Sequence, residues 1–84
     1  MQHIIWFGAG TAEAQTRQLL STCGLDVHTT HRGVREALDM WFRGEIAPDY
    51  ISDILYVMNM VSSDYGPYLE CIKQGLLHSL GTQL

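Results

Sequence analysis

The chain has 84 residues and a formal net charge of −4, and its 17% of charged residues falls below the roughly 25% usual in soluble domains while 46% are hydrophobic. Its five basic residues, Arg17, Arg32, Arg35, Arg43 and Lys73, are scattered; they form no stripe to neutralise phosphates, which argues against nucleic acid as a partner. A single domain over residues 1–84 is expected, of a size that buries only about 60% of its unfolded surface, and the apolar excess points to contact with a second copy or another protein.

Cys23 and Cys71 are too few and too far apart for the disulfide framework of a secreted mini-protein, and read as free thiols in a reducing cytoplasm. The apolar run at residues 4–7 is shorter than a signal-peptide core, and no stretch approaches the roughly 20 apolar residues of a membrane span. The expectation is a soluble, cytoplasmic protein without a membrane partner.

In chain order, Ile4, Ile5, Trp6 and Phe7 are bulky and partly β-branched, which predicts a strand covered on both faces and ended by Gly8 and Gly10. Thr11 is placed to cap a helix whose apolar face is Ala12, Thr16, Leu19, Leu20 and Cys23, with Gly24 as its end. Leu25, Val27 and Thr29 alternate with Asp26, His28 and Thr30, the period of a half-buried strand parallel to the first. A second helix fits residues 34–43, with Val34, Leu38, Trp41 and Phe42 on one face and Gly44 ending it. Pro48 and Asp49 mark a turn.

The segment that follows, YISDILYVMNM, supports two readings. Ile51, Ile54, Leu55 and Met58 sit at helical spacing, yet residues 54–58 also form an unbroken apolar run of the kind found in buried strands. Gly66 and Pro67 then open a last helix with the stripe Leu69, Ile72, Leu76 and Leu80, which Gly81 can end and Leu77 and Leu84 widen.

With the ambiguous segment taken as strand, the order is βαβαβα and the sequence resembles the N-terminal part of a two-component receiver domain. The resemblance lies in LLSTCGLDVHTTHRGVREALDMW, with its Gly-x-x-x-Ala-Leu helix, in PDYI before the third strand, and in the Asp-x-Gly turn of MNMVSSDYGPYLECIK. It implies a small open parallel sheet, a flavodoxin-like half with flanking helices, in an α/β fold. Residues 50–61 taken as helix give instead two parallel strands and four helices. The resemblance does not extend to phosphoryl transfer: Phe7, Gly8 and Ala9 stand where the family keeps its metal-binding acids, and Asp53 falls near the start of the third strand instead of its end. What it implies is a truncated pseudo-receiver, a shape used for binding.

Gly8, Gly10 and Thr11 at a strand-to-helix turn form a candidate anion site, because backbone N–H groups and a helix dipole converge there. Against it, Glu13 occupies the place of a dinucleotide fingerprint's third glycine, and no lysine precedes Thr11 as a P-loop requires. His28 and His31 lack further ligands for a metal, and His3 and His78 lie at opposite ends of the chain. Cys23 and Cys71 fall on or beside apolar stripes, without a base or oxyanion donors. No catalytic residue, cofactor or metal is therefore expected, and the protein is not expected to be an enzyme.

Trp41 and Phe42 stand about 100° apart on one helix and cannot fill the same core position. With Tyr50, Tyr56, Tyr65 and Tyr68 they supply residue types favoured at interface centres, while Glu45, Asp49, Asp53 and Asp64 give the second half an acidic rim. The interaction candidates are Trp41, Phe42, Tyr65, Tyr68, Leu76 and Leu77. The sequence thus leads to a non-catalytic interaction module, a regulator, adaptor or inhibitor of a larger protein, acting as a homodimer. The alternative is a phosphate or nucleotide sensor built on the turn of Gly8, Gly10 and Thr11.

Overall fold

The structure, a computed structural model, describes residues 10–81. Its elements are four α-helices, α1 (Ala12–Thr22), α2 (Arg32–Phe42), α3 (Ile51–Val61) and α4 (Leu69–Gly81), with short 3₁₀ turns at Pro48–Tyr50 and Ser63–Tyr68. No strand occurs among the described residues. The α/β fold, the parallel sheet and the receiver-like order are thereby overturned, and with them both the pseudo-receiver reading and the arrangement of two strands with four helices. The strand expected at residues 4–7 lies outside the described residues.

Local hydrogen bonding explains why the expected second strand is a turn. The Asp26 carboxylate accepts the His28 N–H at 2.9 Å, and its carbonyl accepts the Thr30 hydroxyl at 2.8 Å and the N–H groups of Thr29 and Thr30. Asp and Thr offer the backbone such local partners in place of a ladder, so the alternation in LDVHTT marks a folded connector. The ambiguous segment is a helix. Pro48 pre-sets its entry, Asp49 and Asp53 lie in first turns where they favour the dipole, and Ile54 and Met58 reach the core one helical turn apart.

α1 begins and ends where the sequence marks it, α2 begins two residues before the expected Val34, and α4 begins at Leu69, Gly66 and Pro67 lying in the 3₁₀ turn before it. The Thr11 hydroxyl accepts the Ala14 N–H at 3.1 Å and caps α1. Gly24 and Gly44, with φ of +90° and +78°, close α1 and α2. In each the residue after the glycine donates back into the helix, Leu25 to Leu20 at 2.8 Å and Glu45 to Met40 at 2.9 Å, which satisfies carbonyls that would otherwise lack partners. His31 caps α2, its Nδ1 accepting the Gly33 N–H at 2.9 Å.

The helices form a ring: α1 packs on α2, α2 on α3, α3 on α4 and α4 on α1, while neither diagonal pair approaches closely. Inside it, Leu19, Leu20, Val34, Leu38, Ile72 and Leu76 are wholly buried, with Met58, Ile54, Trp41 and Tyr65 nearly so. The Trp41 indole crosses the centre and donates to the Ser79 hydroxyl at 3.0 Å, and that hydroxyl donates to the Leu76 carbonyl at 2.6 Å. Helices whose backbones stand apart, α2 and α4, are joined by this polar link, and the indole N–H is satisfied as burial requires.

Cys23 and Cys71 are joined in a disulfide, with Cα atoms 5.7 Å apart, tying the end of α1 to the first turns of α4. The reading of free thiols is therefore corrected. Spacing alone could not reveal the pair, because the bond spans 48 positions and only the ring closure of α4 on α1 brings the ends together.

Closing a loop of this length is worth about 4 kcal/mol in the chain-entropy treatment, against a total stability of roughly 4–13 kcal/mol for a domain of this size. Reduction should therefore shift the urea midpoint sharply downward, as followed by far-ultraviolet circular dichroism with and without reductant. Gly24→Ala should cost about 1–2 kcal/mol in the same assay through backbone conformation, since a Cβ there would meet no atom within 4 Å.

Candidate functional site

The interaction candidates separate once the fold is known. Trp41 and Leu76 are core residues, and Phe42 packs half-buried against that core. Leu77 is exposed on α4. Tyr65 is 8% exposed, and its hydroxyl accepts the His31 N–H at 2.8 Å. It is thus a structural residue that fixes the start of α2 from the far side of the chain. Tyr68 is half-buried and lines, with Tyr65, Leu25 and Val61, a cleft of about 460 Å³ between the α1–α2 connector and the end of α3.

Among the described residues, the largest apolar exposure lies on α3. Ile51, Ile54, Leu55 and Met58 face the core, yet the opposite side of the same helix carries Tyr56 (64% exposed), Val57 (47%), Met60 (66%) and Val61 (38%). These occupy positions i, i+1, i+4 and i+5, one contiguous strip, and Tyr50 extends apolar exposure at its N-terminal end. Asp53 is the sole charged residue of the helix. Val61 belongs both to this strip and to the cleft under Tyr65 and Tyr68, so the two surfaces are continuous. A helix that is apolar all round is ordinarily buried all round; here half of it faces solvent.

The acidic rim is present in part as anticipated. Asp49, Asp53 and Asp64 are exposed at the two ends of α3, but Glu45 is engaged by Arg43, whose Nε lies 3.2 Å from its carboxylate. That hydrogen bond holds the Arg43 guanidinium above its ordinary pKa, a little exposure loss opposes it, and the charges of Glu45, Asp39 and Glu13 add to it.

Of the candidate anion turn, Gly8 lies outside the described residues. Thr11 spends its hydroxyl on capping α1, and the Gly10 carbonyl accepts the Gln15 side-chain amide at 3.3 Å. No group of three or more His, Cys, Asp or Glu among the described residues is placed to hold a metal ion. No helix among them is long and apolar enough to cross a membrane.

Sequence reasoning named Tyr56 among the interface-type aromatics but passed over Val57, Met60 and Val61. The signal was present in the unbroken apolar run of α3, which the sequence leaves open between a helix and a buried strand. The chain matches no protein family, no curated protein and no solved structure. What the fold of the described residues defines by itself is a small disulfide-linked helical bundle with an exposed apolar face on α3.

Tyr65→Phe should keep the ring's packing and remove the acceptor of the His31 N–H, lowering stability by about 0.5–1.5 kcal/mol. Urea unfolding measures the loss, and hydrogen exchange should localise it to the first turn of α2.

Proposed function

We propose that this protein is a non-catalytic binding module whose outer α3 face is covered by another protein surface, in the first instance a second copy of the chain. The observation that carries this reading is the strip of Tyr56, Val57, Met60 and Val61, four large apolar residues left in solvent on a helix with a single charge. Tyr and Met are enriched at interface cores, and Met adapts to varied partners.

A second copy suits the apolar strip. Packing two α3 helices antiparallel about a twofold axis near Val57 and Met60 sets apolar residues against apolar residues and opposes the two helix dipoles favourably. The exposed acids Asp49, Asp53 and Asp64 then lie at the two edges of the contact, where like charges meet and added salt should strengthen the pair. The adjoining cleft at Tyr65 and Tyr68 and the acids Asp49 and Asp64 would then frame the dimer, a surface suited to a regulator, adaptor or inhibitor of a larger protein.

A cytoplasmic site of action is tied to the state of the Cys23–Cys71 pair. Disulfides persist in oxidising compartments and are transient in reducing ones, so work in the cytoplasm entails reduced thiols.

In sedimentation velocity the protein should run as a dimer at tens of micromolar, and Met60→Glu should run as a monomer with an unchanged helical spectrum. A wild-type monomer at all concentrations up to the millimolar range would remove the homodimer.

A further inference from the structure

The cleft of about 460 Å³ at the end of α3 has an apolar and aromatic wall, Leu25, Val61, Tyr65 and Tyr68, with Asp64 and His31 among its polar lining. Its two sides are tied together. Leu25 follows Cys23 by two residues and Tyr68 precedes Cys71 by three, so the disulfide joins the segments that carry them. The Tyr65 hydroxyl accepts the His31 N–H at 2.8 Å between the same segments. A cleft fixed in this way has little freedom to lose when it is filled.

The charge of the lining is one-sided. Asp64 is exposed and is the only Asp, Glu, Lys or Arg that lines the cleft. It has no ion-pair partner among the described residues. The His31 ring accepts the Gly33 N–H on Nδ1, as a neutral imidazole does and an imidazolium cannot. The arginines line other clefts, Arg17 beside Gln18 and the remaining three beside Glu36.

Such a lining selects among occupants. An anion would meet Asp64 and no cation. A wholly apolar group would strip water from the carboxylate and give nothing back. A guanidinium on an aliphatic stem answers the whole lining: it forks a carboxylate, is weakly hydrated and stacks on tyrosine, while its stem covers apolar wall. The α3 helix of a second copy brings no such group, since it holds neither Lys nor Arg. Val61 also ends the exposed strip of α3, so a segment lying on that strip reaches the cleft directly.

We propose that this cleft receives an arginine side chain of a larger partner protein, carried on an apolar segment at the end of α3, with its guanidinium on Asp64 and against Tyr68. The proposal rests on the reading of α3 as a protein-binding face and names the chemistry of the partner.

The test is a titration of the full-length, disulfide-intact chain followed by ¹H–¹⁵N and aromatic ¹H–¹³C correlation spectra. The probes are acetyl-leucyl-arginyl-leucinamide, the same peptide with citrulline, which keeps the shape of arginine without its charge, and butylguanidinium. The arginine peptide should give saturable shifts at Leu25, Val61, Asp64 and Tyr68, with the citrulline peptide and butylguanidinium at least tenfold weaker. Asp64→Asn should lower the affinity for the arginine peptide to that of the citrulline peptide, and Tyr68→Leu, which keeps apolar bulk, should weaken it several-fold. The proposal is overturned if the arginine peptide gives no saturable shifts at these residues up to tens of millimolar, or if the citrulline peptide binds as tightly. It is also overturned if folded Asp64→Asn and Tyr68→Leu chains bind as the wild type does, and butylguanidinium binding as tightly as the peptide would remove the partner segment. The α3 reading fails by a different result, a wild-type monomer in sedimentation with no shift at Tyr56, Val57 or Met60 from either peptide.

Discussion

The interaction on which the rest depends is the meeting of four narrow apolar stripes in one small core. Leu19 and Leu20 from α1, Val34 and Leu38 from α2, and Ile72 and Leu76 from α4 lose all contact with solvent, and Ile54 and Met58 complete the ring from α3. Each such side chain contributes about 1.5–3 kcal/mol of burial, set against ordering costs of comparable total size. A chain of this length has no second core in reserve. That is why two links across the ring carry weight beyond their number: the Trp41 indole to Ser79, which joins a diagonal the backbones do not close, and the Cys23–Cys71 bond, which fastens the first helix to the last.

A core filled from four sides by 11- to 13-residue helices buries one face of each and no more. For α1 and α2 the other face is polar, and solvent is its proper neighbour. For α3 it is Tyr56, Val57, Met60 and Val61, four of the seven large hydrophobics exposed among the described residues.

The two readings of the middle of the chain and the bare face of α3 have one cause. An amphipathic helix announces itself by polar residues at fixed intervals, and α3 has too few: only Asp53, Ser52 and Asn59 interrupt its apolar sequence. Periodicity then cannot separate a two-sided helix from a buried strand. The second false strand has a different source. Leu25, Val27 and Thr29 do alternate, but Asp26 and the nearby threonines satisfy the backbone locally, and a connector between two packed helices needs no ladder. With both strands gone, the resemblance to a receiver domain rested on glycine and proline punctuation that helices share.

What the sequence determined by itself is the local grammar of α1, α2 and α4: the Thr11 cap, the ends at Gly24 and Gly44, the turn at Gly66 and Pro67, and the stripes from Thr16 to Leu20, Val34 to Trp41 and Ile72 to Leu76. These depend on backbone preference and on spacing along one helix, and neighbours in sequence suffice to fix them. The tertiary structure alone decided which side of α3 is covered, that Cys23 meets Cys71, that Tyr65 holds the start of α2, and that Arg17 and Arg35 face the same cleft as Glu13 and Asp39. Each of those joins residues from different elements, some of them dozens of positions apart, and only the closing of the ring gives such pairs a distance.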